Sequence, residues 1–167
     1  MGEIIIKQGD ITQEYVEVIV NAANTRLAGG GGVDGAIHKA AGSSVMDECK
    51  KIGGCKTGKA VITNAGNLNV KKIIHTPGPI WHGGVSREEE LLRGCYRNSL
   101  ALAIENGLKS IAFPSISTGI YGYPIDKASE IAVFEGMKVV DKFDKIIYVC
   151  FSSQDHKIYE ETYEKLH

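Results

Sequence analysis

Short apolar runs rich in β-branched residues alternate along the chain with amphipathic stretches of helical period. The runs that predict strands lie at residues 3–7, 16–20, 60–63, 72–76, 111–114 and 145–151. The stretches that predict helices lie at residues 36–41, 43–51, 86–107, 124–139 and 154–166. This alternation predicts an α/β fold, a three-layer α/β/α sandwich around a central mixed, mainly parallel sheet.

Local signals predict how several elements end and pair. The link between the first two strands is too short for a helical crossover of the usual length, which predicts an antiparallel pair at one edge of the sheet. Ser86 and Glu89 fit a capping box at the start of the third helix, and Gly107 supplies its stop. Pro124 suits the first position of the next helix.

The most informative stretch is a strand-to-helix loop at residues 21–38, N-A-A-N-T-R-L-A-G-G-G-G-V-D-G-A-I-H. Ordering glycine costs more backbone entropy than ordering any other residue, so four consecutive glycines in an ordered loop need a compensating interaction. We expect this interaction to be the close approach of bare backbone N–H groups to a ligand. At a helix N-terminus that ligand is most often a phosphate. A flexible linker is disfavoured because Asn24, Asp34 and His38 surround the glycines, and Asp34 and His38 share one helix face.

A second loop of small residues, S-I-S-T-G-I-Y-G-Y-P at residues 115–124, also joins a strand to a helix. Two such loops could clamp a diphosphate from both sides. Two familiar phosphate motifs do not apply. The G-x-x-x-x-G-K at residues 53–59 lacks the Ser or Thr and the helix that a P-loop needs. Gly30, Gly32 and Gly35 fit G-x-G-x-x-G, but a Rossmann loop leaves its strand directly.

Composition narrows the class of protein. With 167 residues and 43% hydrophobic content, the chain suffices for one domain, predicted to span residues 1–167. A net charge of −1 from 19 basic and 20 acidic residues favours neither a nucleic-acid groove nor an anionic membrane surface. No apolar run approaches ~20 residues, and the chain starts directly with a strand. We therefore expect a cytoplasmic protein without a membrane partner, and a monomer, since no apolar stripe is evident beyond those that the sheet needs.

The cysteines and histidines show no pattern of metal ligands. Four cysteines form no C-x-x-C pair and sit in or beside predicted helices or strands: Cys49, Cys55, Cys95 and Cys150. We expect mostly buried free thiols, without a metal or a disulfide. His75 and His82 are seven residues apart with no evident third ligand, which favours hydrogen-bonded structural histidines over a zinc site.

Two single residues at strand ends each allow two interpretations. Asp10 follows the first strand, where it could cap a turn or accept a hydrogen bond from an exocyclic amine. Phe151 ends the last strand, where ligands of open α/β sheets bind, although core packing is the commoner fate of a phenylalanine.

Five motifs give the chain a family resemblance: G-D-I-T at 9–12, N-A-A-N at 21–24, G-G-G-V-D-G-A-I-H at 30–38, I-H-T at 74–76 and I-S-T-G-I-Y-G at 116–122. In this order, over nearly the whole chain, the motifs resemble those of a macrodomain of the MacroD type. The resemblance implies an ADP-ribose site. For this subgroup it also implies hydrolysis of mono-ADP-ribose esters on Asp or Glu side chains of proteins, and of O-acetyl-ADP-ribose.

The resemblance also implies how the ligand would lie. Asp10 would hold the adenine amine beside the backbone of Ile11, and Phe151 would lie against the adenine face. The diphosphate would lie between two sets of loop residues: Gly31, Gly32 and Val33 on one side, and Ser117, Thr118, Gly119, Ile120 and Tyr121 on the other.

The resemblance places the reaction at the other end of the ligand. Asn24 and Asp34 would border the distal ribose, where the ester is cut. Tyr121 would pack near that sugar, and His38 would support the catalytic helix. Neither a metal nor a cofactor is implied.

Asp34 offers chemistry that suits such a reaction. A carboxylate can orient or deprotonate a water aimed at the distal ribose, or the diphosphate of the substrate could position that water instead. A carboxylate leaving group needs little protonation, and the motif at residues 30–38 that contains Asp34 has no second carboxylate to complete the acid/base pair of ordinary glycosidases. We therefore expect selectivity for ester-linked ADP-ribose over serine-linked or arginine-linked forms.

The alternatives are binding modules. A non-catalytic ADP-ribose reader typically lacks the set formed by Asn24, Asp34 and His38, so the presence of this set favours the enzyme. The near-neutral charge disfavours nucleic acid as a partner, except for ADP-ribosylated ends.

Overall fold

The computed structural model describes residues 2–167. Within this range six strands form one sheet: β1 (Glu3–Gln8), β2 (Val18–Ala23), β3 (Val61–Asn64), β4 (Lys72–Pro77), β5 (Ser110–Phe113) and β6 (Lys145–Cys150). The helices are α1 (Gly32–Ala41), α2 (Ser43–Ile52), α3 (Glu88–Glu105), α4 (Ile125–Val139) and α5 (Ser153–Leu166). The helix α3 joins β4 to β5 and the helix α4 joins β5 to β6, so these three strands can run in the same direction.

Alternate residues of the central strands enter two separate cores. Val18 and Val20 of β2 join the core under α3, α4 and α5. Ile19, between them, joins the core under α1 and α2. Because side chains of a strand alternate between faces, this division places three helices on one face of the sheet and two on the other. The predicted three-layer α/β/α sandwich is confirmed.

The sheet is mixed, but not for the reason that the sequence suggested. Its order is β1-β6-β5-β2-β4-β3, and β3 with β4 is the antiparallel pair. The expected antiparallel pairing of the first two strands is wrong, because β1 pairs in parallel with β6. The link at residues 9–17 can extend to about 30 Å, which suffices to reach a strand three places away at ~4.8 Å per place without a helix.

The helix ends also differ from the local signals. The helix α3 begins at Glu88 after Arg87, which has a left-handed φ of 64°, and no side chain caps it. The capping box predicted for Ser86 and Glu89 is wrong, because the Glu88 carboxylate instead accepts backbone N–H groups from His82, Gly84 and Ser86. Pro124 is the N-cap residue rather than the first helical residue. The helix α1 begins at Gly32, inside the glycine run.

The four cysteines are buried, as predicted. Among residues 2–167 no helix combines the length and the apolar character that a membrane span requires.

Candidate functional site

The chain reverses its direction of travel across the sheet between β2 and β5, and we call the space between the loops that follow these two strands the crevice. The strands β2 and β5 are parallel neighbours, and they feed helices on opposite faces, α1 and α4. Open α/β sheets bind ligands at such a switch point, beyond the carboxyl ends of the strands. The loops after β2 and β5 are the two loops that the sequence singled out, so the fold brings both of them to the same edge. We call them the glycine wall (residues 24–33) and the hydroxyl wall (residues 114–123).

Asn24 shapes the glycine wall from within. Its amide donates to the Gly29 carbonyl at 2.8 Å and accepts from the Ala28 N–H at 3.0 Å. Close packing fixes the far end of the wall, since a Cβ on Gly35 would overlap the carbonyl oxygen of Gly30. Packing therefore explains why position 35 is a glycine, but it does not explain the glycine at position 31. At Gly31, which has an ordinary φ of −93°, a Cβ would meet no atom within 4 Å.

Asp34 lies in the first turn of α1 and is 6% exposed. Its Oδ1 accepts a hydrogen bond from Asn21 Nδ2 at 2.9 Å and lies 3.4 Å from His38 Nε2. Its Oδ2 faces the glycine wall: a Cβ built on Gly30 would lie 3.5 Å from Asp34 Oδ2 and 4.0 Å from Asn24 Nδ2. Oδ1 of Asp34 is thus held by Asn21 inside the protein, whereas Oδ2 is directed toward Asn24.

Behind Asp34 a chain of polar groups runs through the sheet. Asn21 and His75 are direct neighbours on β2 and β4, and Asn21 Nδ2 lies 3.1 Å from His75 Nδ1. The other ring nitrogen, His75 Nε2, lies 2.9 Å from Thr63 Oγ1 on β3. His75 is fully buried, and this burial lowers its pKa from 6.5 to about 4. The imidazole is therefore neutral near pH 7.

Three potential metal ligands come close to this chain. His38, Cys49 and His75 offer ligand atoms within 4.8 Å of one another. Burial raises the pKa of the Cys49 thiol to about 11, and His75 Nε2 already has Thr63 as a partner. These features favour hydrogen-bonded polar groups over metal ligands. His82 is exposed and lies outside this group, so the sequence pair of His75 and His82 is not brought together as ligands.

The hydroxyl wall is held by side chains from two helices. Tyr159 of α5 donates to Ser115 Oγ at 3.1 Å, and Thr118 Oγ1 donates to the same oxygen at 2.8 Å. Tyr96 of α3 accepts from the Ile116 N–H at 3.2 Å. Ser117 has a left-handed φ of 68°, which is uncommon for a residue with a side chain. Such a conformation persists only where the surroundings impose it.

The predicted ligand contacts lie along the same edge of the sheet. Asp10 follows β1 and caps the turn at Ile11–Gln13, since its Oδ1 accepts from the Thr12 N–H at 2.9 Å. Phe151 follows β6 and is 91% exposed, so core packing is not its role. Ile120 of the hydroxyl wall is also fully exposed. The contacts predicted for these residues with adenine and diphosphate stay predictions.

The sequence did not assign a role at the site to three residues of this arrangement. Asn21 and Thr63 received no role, and His75 was predicted only to be a hydrogen-bonded structural histidine. A signal was present, because polar residues interrupt the apolar runs V-I-V-N and I-I-H-T of two central strands. Polar groups in such positions are buried and need partners.

Fold and site together define an α/β/α protein with a ligand crevice at the switch point of its sheet. The family model described as Macro domain matches residues 20–132, and the chain belongs to the macrodomain family. The resemblance seen in the sequence is thereby confirmed.

Relatives of known name are similar over nearly their whole length. A macro domain-containing protein of Chlorobaculum tepidum is 53% identical over 156 residues, which cover 92% of this chain and 91% of the relative. The O-acetyl-ADP-ribose deacetylase of Escherichia coli strain K12 is 49% identical over 168 residues, covering 94% and 93%.

Solved structures share the fold. The Oceanobacillus iheyensis macrodomain with ADP has a TM-score of 0.90 at 46% identity, covering 95% of this chain and 88% of that one. The Trypanosoma brucei macrodomain in complex with ADP-ribose has a TM-score of 0.89 at 41% identity, covering 95% and 68%.

Proposed function

We propose that this protein binds ADP-ribose in the crevice and hydrolyses esters attached to it. The substrates would be O-acetyl-ADP-ribose and proteins mono-ADP-ribosylated on Asp or Glu side chains. Two kinds of finding support the proposal: relatives about half identical in sequence are named O-acetyl-ADP-ribose deacetylase, and similar macrodomains were solved with ADP or ADP-ribose. The cytoplasmic location and the monomeric state expected from the sequence stay predictions.

The observation that carries the catalytic part is the placement of Asp34. Its Oδ1 is held by Asn21 inside the protein, and its Oδ2 faces Gly30 beside the Asn24 amide. A carboxylate oxygen held in this way can orient a water, or accept its proton, as the water attacks near the distal ribose. His38 would support Asp34 from the next turn of α1.

The binding part is supported by the two walls. At Gly31 and at Gly119 a Cβ would meet no atom within 4 Å, and neither glycine has a positive φ. Neither the packing nor the backbone conformation of the free protein therefore explains glycine at these positions. A ligand that approaches the bare backbone from between the walls would explain both, and a diphosphate is suited to the start of α1.

The chemistry of the leaving group sets the expected selectivity. When water forms a bond to C1″ of the distal ribose and the C1″–O bond to the side chain breaks, a carboxylate leaves without a general acid, whereas a serine alkoxide or a guanidine would need one. Asp34 is the one carboxylate in the two loop sequences at residues 21–38 and 115–124, so these sequences contain no acid/base pair. We expect release from glutamate-linked substrates and little release from serine-linked ones. Comparable release from both would contradict this selectivity.

A non-catalytic reader is the second candidate, and one observation favours it. Both polar atoms of the Asn24 amide are engaged with the wall itself, through Gly29 and Ala28. An amide used in this way shapes the pocket and need not contact a reacting group. A reader would bind ADP-ribose and ADP-ribosylated proteins without cutting them.

The two candidates are separated by measuring hydrolysis and binding on the same variants. Release of acetate from O-acetyl-ADP-ribose and of ADP-ribose from a glutamate-modified protein would be followed for wild type, Asp34→Asn and Asn24→Ala. We expect Asp34→Asn to lower kcat by about 100-fold or more, a magnitude typical for loss of a general base. Calorimetry should show that it binds ADP-ribose within a few-fold of wild type.

Asp10→Asn is a matched control, because it makes the same chemical change at the other end of the crevice. We expect it to weaken ADP-ribose binding and to raise KM, while kcat stays close to that of wild type. Tight binding by wild type without any release would make the protein a reader and overturn the hydrolase.

A further inference from the structure

One direction of the hydrogen bonds behind Asp34 satisfies the contacts of Thr63, His75 and Asn21 together. Thr63 Oγ1 lies 2.9 Å from the Asn64 carbonyl oxygen, which can only accept, so the hydroxyl proton of Thr63 points there. The same Oγ1 lies 2.9 Å from His75 Nε2 and must therefore accept from it. The neutral imidazole then carries its proton on Nε2, which leaves Nδ1 as an acceptor.

This tautomer fixes the side-chain amide of Asn21. His75 Nδ1 accepts one N–H of Asn21 Nδ2 at 3.1 Å, and Asp34 Oδ1 accepts the other at 2.9 Å. A flipped amide would point its oxygen at the unprotonated Nδ1 and at the carboxylate, and both contacts would be repulsive. Asn21 Oδ1 has no hydrogen-bond partner among the described residues, so its own contacts do not choose the observed orientation. The choice comes from His75 and Asp34.

We propose that His75, held in one tautomer by Thr63, is a positioning residue for the hydrolytic reaction. It acts through Asn21, which holds Asp34 Oδ1 and leaves Oδ2 directed to the crevice. The inference rests on the proposed catalytic role of Asp34. It goes beyond that role because Thr63 and His75 lie in the sheet behind Asp34, are buried to about 1% exposure or less, and touch the reaction only through other side chains.

The burial of the chain supports this assignment. Asn21, Thr63 and His75 are each exposed by 1% or less, so water does not compete for their hydrogen bonds. Apart from Asn21 Oδ1, the side-chain polar atoms of these three residues have partners, and buried hydrogen bonds that are satisfied favour a single arrangement. The lowered pKa of His75 keeps the ring neutral, which the single tautomer requires.

A matched pair of substitutions at Thr63 separates the hydroxyl from the packing. Thr63→Val keeps the shape and removes the hydroxyl, and Thr63→Ser keeps the hydroxyl and removes the methyl group. We expect Thr63→Val to lower kcat for O-acetyl-ADP-ribose about tenfold, because Asp34 is no longer held in one orientation. KM and the ADP-ribose dissociation constant should stay within twofold, and Thr63→Ser should resemble wild type.

Substitutions at His75 provide a second comparison. Gln can accept from Asn21 with its oxygen and donate to Thr63 with its nitrogen, whereas Leu can do neither. His75→Gln should retain most of kcat and His75→Leu should lose it. Ile73→Val controls for a loss of packing, since Ile73 is a fully buried residue of the same strand. A fall of kcat in this control equal to that in Thr63→Val would reduce the effect to stability and overturn the proposal.

A spectroscopic measurement tests the chain independently of activity. Long-range ¹H–¹⁵N spectra of histidine-labelled protein should show His75 protonated on Nε2 alone in wild type and Thr63→Ser, and a mixture of tautomers in Thr63→Val. An unchanged kcat in Thr63→Val, or a His75 ring protonated on Nδ1 in wild type, would overturn the proposal. If Asp34→Asn also keeps its activity, the proposed function has failed; if Asp34→Asn is inactive and Thr63→Val is not, only the positioning role has failed.

Discussion

The two walls of the crevice are held by different kinds of chemistry. Behind the glycine wall lie a carboxylate and an imidazole, those of Asp34 and His75, joined through Asn21. Behind the hydroxyl wall lie Tyr96 and Tyr159, whose pKa values burial raises, so that they stay neutral near physiological pH. The groups behind the glycine wall can therefore take part in a reaction and make the stability of the protein depend on pH. The groups behind the hydroxyl wall only hold that wall in one conformation.

The largest expected effect on stability comes from the packing of the glycine wall. In Gly35→Ala the new Cβ would overlap the Gly30 carbonyl oxygen, and backbone atoms must move to relieve the overlap. Alanine favours a helix by about 1 kcal/mol over glycine, but we expect the overlap to outweigh this gain and to leave a net loss of about 2 kcal/mol or more. Urea unfolding measures the loss. An unchanged unfolding free energy would mean that the backbone of the glycine wall shifts away from the new methyl group at little energetic cost.

The next effect is a dependence of stability on pH that belongs to one wall only. Burial, and to a smaller extent the nearby His38, lower the pKa of His75 to about 4, against an opposing contribution from Glu48. The unfolded chain takes up a proton on this ring as the pH falls through ~6.5, while the folded protein does so only near 4. Stability is therefore fully present above pH ~6.5 and is lost as the pH falls.

Between pH 7 and pH 5 the contribution of His75 should fall by about 2 kcal/mol. Urea unfolding of wild type and His75→Gln at pH 7 and at pH 5 isolates the contribution of His75, because the other groups titrate equally in the two proteins. An equal pH effect in both would show that the folded ring is not kept neutral. Tyr159→Phe, on the other wall, should leave this pH dependence unchanged.

A smaller effect is expected when the hydroxyl wall loses one hydrogen bond. Tyr159→Phe removes the donor to Ser115 Oγ, while Thr118 still contacts that oxygen. We expect a loss of about 1 kcal/mol in unfolding free energy at every pH from 5 to 8. ADP-ribose binding measured by calorimetry should weaken by no more than a few-fold. A large loss of binding with unchanged stability would instead make Tyr159 a determinant of the pocket.

The sequence predicted the fold class and the meeting of the two loops for one physical reason. Alternating strands and helices impose parallel strands, and the carboxyl ends of parallel strands share an edge. Asn24 and Phe151 each follow such a strand, so their placement on one edge followed from the pattern alone. Asp10 shares that edge because β1 runs parallel to β6, whereas the expected antiparallel pairing of β1 with β2 would have placed it at the opposite edge.

Partners that are remote in the sequence could not be predicted in this way. The strand β1 pairs with β6 rather than β2, because the sheet order depends on packing that no local signal carries. Ser86 and Glu89 fit a capping box, yet Glu88 holds the preceding loop instead. The contact of Asn21 with His75 depends on the register between β2 and β4. Local sequence patterns predicted whether a segment is a helix or a strand, whereas tertiary contacts determined which partners its residues have.

The smallest expected effect on stability provides the sharpest comparison of the two walls. Gly31→Ala and Gly119→Ala place the same methyl group on opposite walls, where it meets no protein atom within 4 Å. Neither should change the unfolding free energy by more than about 0.5 kcal/mol. Both should weaken ADP-ribose binding, by tenfold or more if the diphosphate lies against bare backbone on each side. Calorimetry with ADP-ribose and with ADP measures the change in binding. Gly107→Ala is a control, because Gly107 lies in a turn with a positive φ outside the crevice. This variant should show the reverse pattern, with lower stability and unchanged binding. If only Gly31→Ala weakens binding, the ligand is held by the glycine wall alone, and the hydroxyl wall is a scaffold for that wall rather than the second half of a clamp.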